Sequence, residues 1–205
     1  MKKIILLLYV VLGVVVGGVF GAQFFQPEQN TKKVSQESAS VSVSPTEKPK
    51  EVPGLPQRVI IPKLQIDTAV EQVGLDNEGK MDVPENADNV GWYKLGYKPG
   101  EKGSAVMAGH NDKVTGAPAV FYKLSLLQIG DKIEVIDDKG KKYLFQVSQT
   151  QAFPYSDYPL QKVFGPNDNN MLNLITCNGV WDASTKNYSN RLTVFAKLVS
   201  STLNQ

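Results

Sequence analysis

The 205-residue sequence holds one cysteine and one histidine. A single thiol excludes an intramolecular disulfide and any cysteine-rich metal site, and one histidine beside it is too few for structural zinc. Arginine is also scarce: Arg58 and Arg191 stand alone against twenty lysines among the 22 basic residues. Excess charge is absent from the larger part of the chain, because residues 58–205 carry 16 basic and 16 acidic side chains. Such a neutral domain has no electrostatic footprint for nucleic acid, whose affinity comes largely from neutralised phosphates. Long apolar runs are lacking after the first 22 residues, which excludes a multi-span helical membrane protein. With 41% hydrophobic and 20% charged residues, wholesale disorder is excluded too.

What is present divides into three parts. After Met1-Lys2-Lys3 an uncharged apolar run covers residues 4–22. Its 19 residues reach roughly 28 Å as a helix, close to the hydrocarbon thickness of a bilayer. The expectation is a transmembrane signal-anchor within residues 1–25, its two lysines holding the N-terminus in the cytoplasm and the rest outside. A cleaved signal peptide is the alternative. It requires a shorter apolar core and a small-x-small site, where Phe20 is ill placed. Residues 26–57, with five serines and five prolines, read as a flexible linker spanning roughly 30 Å. Its proline-rich end, residues 49–56, is a candidate lid over the following domain.

Residues 58–205 are enough for one domain with its own core. Short segments rich in β-branched residues, bounded by turn chemistry, fall at 58–62, 66–73, 104–110, 132–137, 142–148, 172–177 and 192–198. Residues 119–127 alone look locally helical. The pattern predicts an all-β closed barrel or sandwich with short helical segments. Within 172–177, Leu172, Leu174 and Thr176 share one face, and Asn173, Ile175 and Cys177 the other. Within 191–196, Leu192, Val194 and Ala196 oppose Arg191, Thr193 and Phe195. If the aliphatic faces are core, Cys177 and Arg191 both point outward, each at the strand end nearest the 178–190 loop. His110 ends a strand as well.

A thiol is the strongest side-chain nucleophile, an imidazole can move its proton, and a guanidinium can hold a developing oxyanion. Each residue also has a plainer reading: a lone cysteine as a small buried hydrophobe, a lone histidine as a structural hydrogen-bonder, a strand arginine as a surface group. Composition alone does not assign an enzyme.

Three ordered segments do more. Ala105-Val-Met-Ala-Gly-His110-Asn-Asp112, Leu172-Asn-Leu-Ile-Thr-Cys177 and Asn190-Arg191-Leu-Thr-Val-Phe-Ala196 resemble the signature segments of the sortases, membrane-anchored cysteine transpeptidases of Gram-positive bacteria. Val90-Gly-Trp-Tyr93, Lys98-Pro-Gly-Glu-Lys-Gly-Ser-Ala105 and Ala119-Val-Phe-Tyr-Lys-Leu124 are similar to the class F branch, with class D the nearest competitor. The resemblance runs over about residues 58–198. It implies an eight-stranded barrel whose groove holds Cys177 as nucleophile, His110 as general acid/base and Arg191 as oxyanion or substrate-positioning group. No cofactor and no metal are implied, and neither Asp76-Asn-Glu-Gly79 nor Asn167-Asp-Asn-Asn170 has the spacing of a calcium loop. The implied partners are surface proteins with a C-terminal Leu-Pro-x-Thr-Gly-like sorting signal, a peptidoglycan precursor or other amine acceptor, and the cell membrane. Thr176, Asn173, Trp181 and Asp112 are further candidates for contact with the signal or the imidazole. Thr176 conflicts with its own place on the core face. Asn173 stands where the family usually has threonine. The loop over 149–170, with Phe153, Tyr155 and Tyr158, either receives the signal or packs on itself. A sortase-like hydrolase, a single-substrate variant and a catalytically idle wall-binding barrel stay open as alternatives.

Overall fold

The computed structural model describes residues 52–203. The expected membrane span and most of the linker lie outside the described residues. Among those described, no helix is long and apolar enough to cross a membrane.

Eight strands are described: β1 (Pro56–Ile61), β2 (Ile66–Val73), β3 (Val90–Tyr93), β4 (Gly103–Ala108), β5 (Lys132–Asp137), β6 (Lys141–Pro154), β7 (Asn170–Asp182) and β8 (Asn187–Leu203). They close into a barrel in the order β1-β2-β3-β4-β7-β8-β6-β5, with β5 returning to β1. β2–β3 and β4–β7 are parallel, and the remaining pairs are antiparallel. The expected barrel is therefore observed, with differences in its parts. β3 adds a four-residue strand too short, and too interrupted by Gly91, to show a period. The segment 119–127 is a series of turns with one 3-10 turn at Leu124–Leu126, not a helix. The only α-helix described, α1 (Leu160–Phe164), follows a 3-10 turn at Tyr155–Asp157 in the β6–β7 connection.

Strand alternation builds two apolar layers. One face of each strand fills the barrel with Val59, Ile61, Trp92, Met107, Phe145, Leu172, Leu174, Leu192 and Val194. The opposite faces of β4, β7 and β8 supply a second cluster, Val106, Met171, Ile175 and Phe195, which Val163 of α1 covers from outside. Phe153 and Tyr158 add to this outer layer, meeting edge to face at 5.8 Å. The Tyr158 hydroxyl shares a 2.6 Å hydrogen bond with Thr193 Oγ1, and burial pushes its pKa up to about 12. For Phe153 and Tyr158 the packing role is thus the observed one.

The chain enters β1 at the β5–β6 turn. Buried Asp137 accepts hydrogen bonds from the backbone N–H of Gly54, Lys139 and Lys141 and from the Tyr143 hydroxyl. Lys98 and Lys139 hold the carbonyls of Pro53 and Val52. β6 pairs Lys141 with Leu203 at this end and Phe153 with Arg191 at the other. At about 3.3 Å per residue, residues 52–55 therefore sit roughly 40 Å along β6 from Arg191. The described part of the candidate lid is a strut at the far end of the strand.

Burial by itself raises the Asp137 pKa, but its donors outweigh that and hold the carboxyl below the usual carboxylate range. A pKa depressed by folding stabilises above the unfolded value, near 3.9, and that contribution is lost as pH falls through the folded value. Asp137→Ala leaves several buried donors unmatched and is expected to cost about 3 kcal/mol at pH 7. Denaturant unfolding should show this gap narrowing below about pH 4. A gap independent of pH would contradict the assignment.

Candidate active site

Register places the site. On the outer face of three consecutive strands, Val106, Asn173 and Phe195 lie side by side, followed by Ala108, Ile175 and Thr193. One step further Cys177 pairs directly with Arg191, and His110 follows two residues after Ala108, the last β4 residue paired with β7. Directly opposed residues put their Cβ atoms about 5 Å apart, so the lone thiol and one of two guanidiniums share a face by backbone geometry alone. The β4–β7 ladder persists past the end of β4, because Gly109 N–H donates to the Ile175 carbonyl at 3.0 Å.

The backbone at His110 is held from several sides. Thr176 Oγ1 donates to the Gly109 carbonyl at 2.9 Å, and Phe121 N–H donates to the His110 carbonyl at 2.9 Å. A side chain at 109 is excluded, since its Cβ would stand 2.6 Å from the Phe121 ring and 2.7 Å from Val120. Thr176 is buried, as its place on the core face predicts, and its hydroxyl is engaged with this backbone. It supports the strand carrying His110. On the ring itself, His110 Nε2 lies 3.1 Å from the Pro84 carbonyl. A carbonyl only accepts, so Nε2 carries the proton and Nδ1 is the nitrogen that can take up or release one. Beside it a cleft of about 390 Å³ is lined by Pro84, Glu85, His110, Asp112 and Val114 among others.

Cys177 is half-buried and free. Burial pushes its thiol up, Arg191 opposes that, and the Asp112 carboxylate adds to it, leaving the pKa raised overall. The resting sulfur at neutral pH is therefore the thiol. Asp112 Oδ2 accepts a 2.7 Å hydrogen bond from the Tyr188 hydroxyl, tying the His110 segment to the β7–β8 hairpin. Asp112→Asn keeps an acceptor for Tyr188 and removes the charge that disfavours a thiolate. Iodoacetamide should then alkylate Cys177 a few-fold faster at pH 7, and an unchanged or slower rate would contradict the electrostatic role.

Arg191 is half-buried. Its Nη2 donates to Asn187 Oδ1 at 2.7 Å and Nη1 to the Asn190 carbonyl at 3.1 Å, while its Cζ lies 4.4 Å from the centre of the Tyr155 ring. Tyr155 of the β6–β7 connection therefore roofs the guanidinium, a geometry a planar cation satisfies better than an ammonium.

Cys177 and Arg191 lie inside the hairpin arms and not at strand ends, because β7 and β8 pair on to Asp182 and Asn187. Pairing is irregular between Asn178 and Trp181, where Gly179 takes φ +89° and Val180 N–H turns to Ser189 Oγ. A bulge here bends the arm just past the thiol. Trp181 is exposed on the hairpin rim and meets Tyr188 edge-on at 5.2 Å. Asn173 is buried, and its Nδ2 donates to the Val163 carbonyl at 2.7 Å, pinning α1 to the barrel. Among the described residues its Oδ1 has no partner. Tyr188 and the Pro84 carbonyl belong to the site without any signal in the sequence, since their contacts with Asp112 and His110 span 76 and 26 residues. Tyr155 is legible as part of the 149–170 loop, but its contact with Arg191 is not.

The sortase-domain family model matches residues 59–199. The chain belongs to the sortase family. Sortases are cysteine transpeptidases, which act on surface proteins carrying a sorting signal and on amine acceptors. Sortase D of Bacillus subtilis is 24% identical over 177 residues, covering 77% of this chain and 80% of that one. Among solved structures, Listeria monocytogenes sortase A superposes with a TM-score of 0.56 at 16% identity, over 73% of this sortase and 90% of the other. A Clostridium perfringens sortase D5 transpeptidase gives 0.54 at 21% identity, over 73% and 83%. These likenesses establish the barrel of this sortase, and the chemistry of its groove rests on the residues above.

Proposed function

We propose that this sortase cleaves a Leu-Pro-x-Thr-Gly-like sorting signal with Cys177 and joins the acyl fragment to an amine of a cell-wall precursor, in the manner of the class F or class D branch. The observation that carries the reading is the register that sets Cys177 directly opposite Arg191, with His110 just past the end of the adjacent β4, whose following Gly109 is bonded to Ile175 and Thr176 of β7.

The steps follow from the resting state. His110 Nδ1 takes the proton of the Cys177 thiol as sulfur attacks the threonine carbonyl carbon. The C=O pair becomes an oxyanion, which Arg191 stabilises after exchanging some of its hairpin contacts for substrate. The C–N bond then breaks, and the imidazolium gives its proton to the departing glycine amine. A thioester remains, conserving the acyl bond energy without ATP. An incoming amine loses a proton to His110 as it attacks the thioester; the C–S bond breaks, and the departing Cys177 thiolate takes that proton back from the imidazolium to restore the resting thiol.

Incubating the full-length protein with such a peptide and triglycine, and following products by mass spectrometry, tests the function. A ligated Leu-Pro-x-Thr-triglycine product is expected; hydrolysis alone would favour the hydrolase alternative, and no cleavage would contradict the reading.

The cellular setting is part of the proposal: a signal-anchor at residues 4–22, a linker to residue 57, and the barrel on the outer face of the membrane. Cys177 is the sole thiol, so a membrane-impermeant maleimide added to intact cells should label the protein. Labelling only after lysis would place the barrel inside.

A further inference from the structure

The grip on His110 continues beyond Pro84. The Pro84 carbonyl and the Glu85 N–H belong to one planar peptide unit, in which the two point in opposite directions. The carbonyl end meets His110 Nε2 at 3.1 Å, and the N–H end donates to Glu71 Oε2 at 2.8 Å. Glu71, on β2, gathers the same loop twice more: Oε1 accepts from Asn89 Nδ2 at 2.8 Å and from Asn86 N–H at 3.3 Å. A carboxylate, a peptide group and an imidazole thus form a continuous row.

We propose that Glu71 is the positioning residue of His110, acting through the Pro84–Glu85 peptide to fix the Nε2–H tautomer and keep Nδ1 as the proton-exchanging nitrogen. The inference rests on the reading of His110 as the general acid/base. A carboxylate bonded to the peptide N–H strengthens the carbonyl at the other end as an acceptor, because hydrogen bonds in a row polarise one another. Glu85 gives this row only its backbone N–H, its exposed carboxylate facing the cleft beside His110 together with Asp82. Glu71 is half-buried; burial raises its pKa, yet the Asn89 amide, the Glu85 and Asn86 N–H groups and the nearby His110 together hold it below the usual carboxylate range. The carboxylate therefore stays charged throughout the neutral range. The row resembles in its logic a buried acid orienting a catalytic imidazole, with a peptide interposed.

The single histidine makes the test direct, because imidazole ¹⁵N shifts of the full chain report one ring. The parent should show the Nε2–H tautomer. Glu71→Gln, nearly isosteric but uncharged, is expected to give a mixture of tautomers and to lower kcat about tenfold with KM within twofold and an unchanged melting temperature. An Nδ1–H parent, an unmixed tautomer with near-parental kcat in the variant, or collapse of the variant fold would each overturn the proposal. The spectrum does not depend on peptide cleavage, so failure of the sortase reaction and failure of this role are read separately.

Discussion

Cys177→Ala is expected to lower cleavage of a Leu-Pro-x-Thr-Gly-type peptide by about four orders of magnitude or more, with the melting temperature nearly unchanged. The size follows from the lack of a substitute. No other thiol exists in the chain, and a lost nucleophile removes the covalent route, leaving what binding and polarisation give alone. Stability should hold because the half-buried Cys177 is a free cysteine that forms no disulfide among the described residues. A fluorogenic peptide assay beside a thermal melt separates the two effects, and activity within tenfold of the parent would refute the nucleophile.

Arg191→Lys is the second large effect, with kcat/KM expected to fall about a hundredfold while net charge is conserved. Register sets Arg191 directly opposite Cys177, and the guanidinium is held by Nη2 on Asn187 Oδ1, by Nη1 on the Asn190 carbonyl and by the Tyr155 ring. An ammonium is a compact point charge that cannot reproduce both contacts and still reach a carbonyl oxygen. Tyr155→Ala should produce a smaller loss in the same direction, since the guanidinium then loses its roof but keeps its hydrogen bonds. A lysine variant within fivefold of the parent would reduce Arg191 to a structural hairpin residue.

Alternation made the faces of β7 and β8 legible in the sequence. Leu172, Leu174, Leu192 and Val194 enter the barrel as their period predicts, and this puts Cys177 and Arg191 on the other face. That outer face proved half apolar because a second cluster lies there beneath α1, which explains why Phe195 and Ile175 are buried on the side read as outward. Strand ends were less legible. The arms beyond Cys177 and Arg191 hold Asn178, Asn187, Ser189 and Asn190 and carry a bulge, so pairing continues where no hydrophobic period marks it. α1 is one five-residue turn between prolines and glycine, held by Asn173 more than by its own propensity. Glu71 and Pro84 lie 39 and 26 positions before His110, and only the pairing of β2 with β3 and of β3 with β4 brings a β2 side chain and its loop to the imidazole. Nothing local in the sequence encodes that meeting.

One arrangement ties these elements together. Thr176, one residue before the nucleophile, fixes the Gly109 carbonyl, one residue before the imidazole, so the backbones carrying the two groups are bonded at the very point of chemistry. Asp112 and Tyr188 bond the same imidazole segment to the hairpin that presents Arg191. The three heads are thereby held by a closed circuit of β4, β7 and β8, which suits a reaction whose transition state needs all three around one amide.

The most direct measurement is the intact mass of the protein mixed with a Leu-Pro-x-Thr-Gly-type peptide in the absence of an added amine. The account predicts a hydroxylamine-labile adduct equal in mass to the acyl fragment ending at threonine, mapped to the peptide containing Cys177 and absent from His110→Ala. No adduct while the peptide is cleaved, or an adduct on any residue other than Cys177, would contradict it.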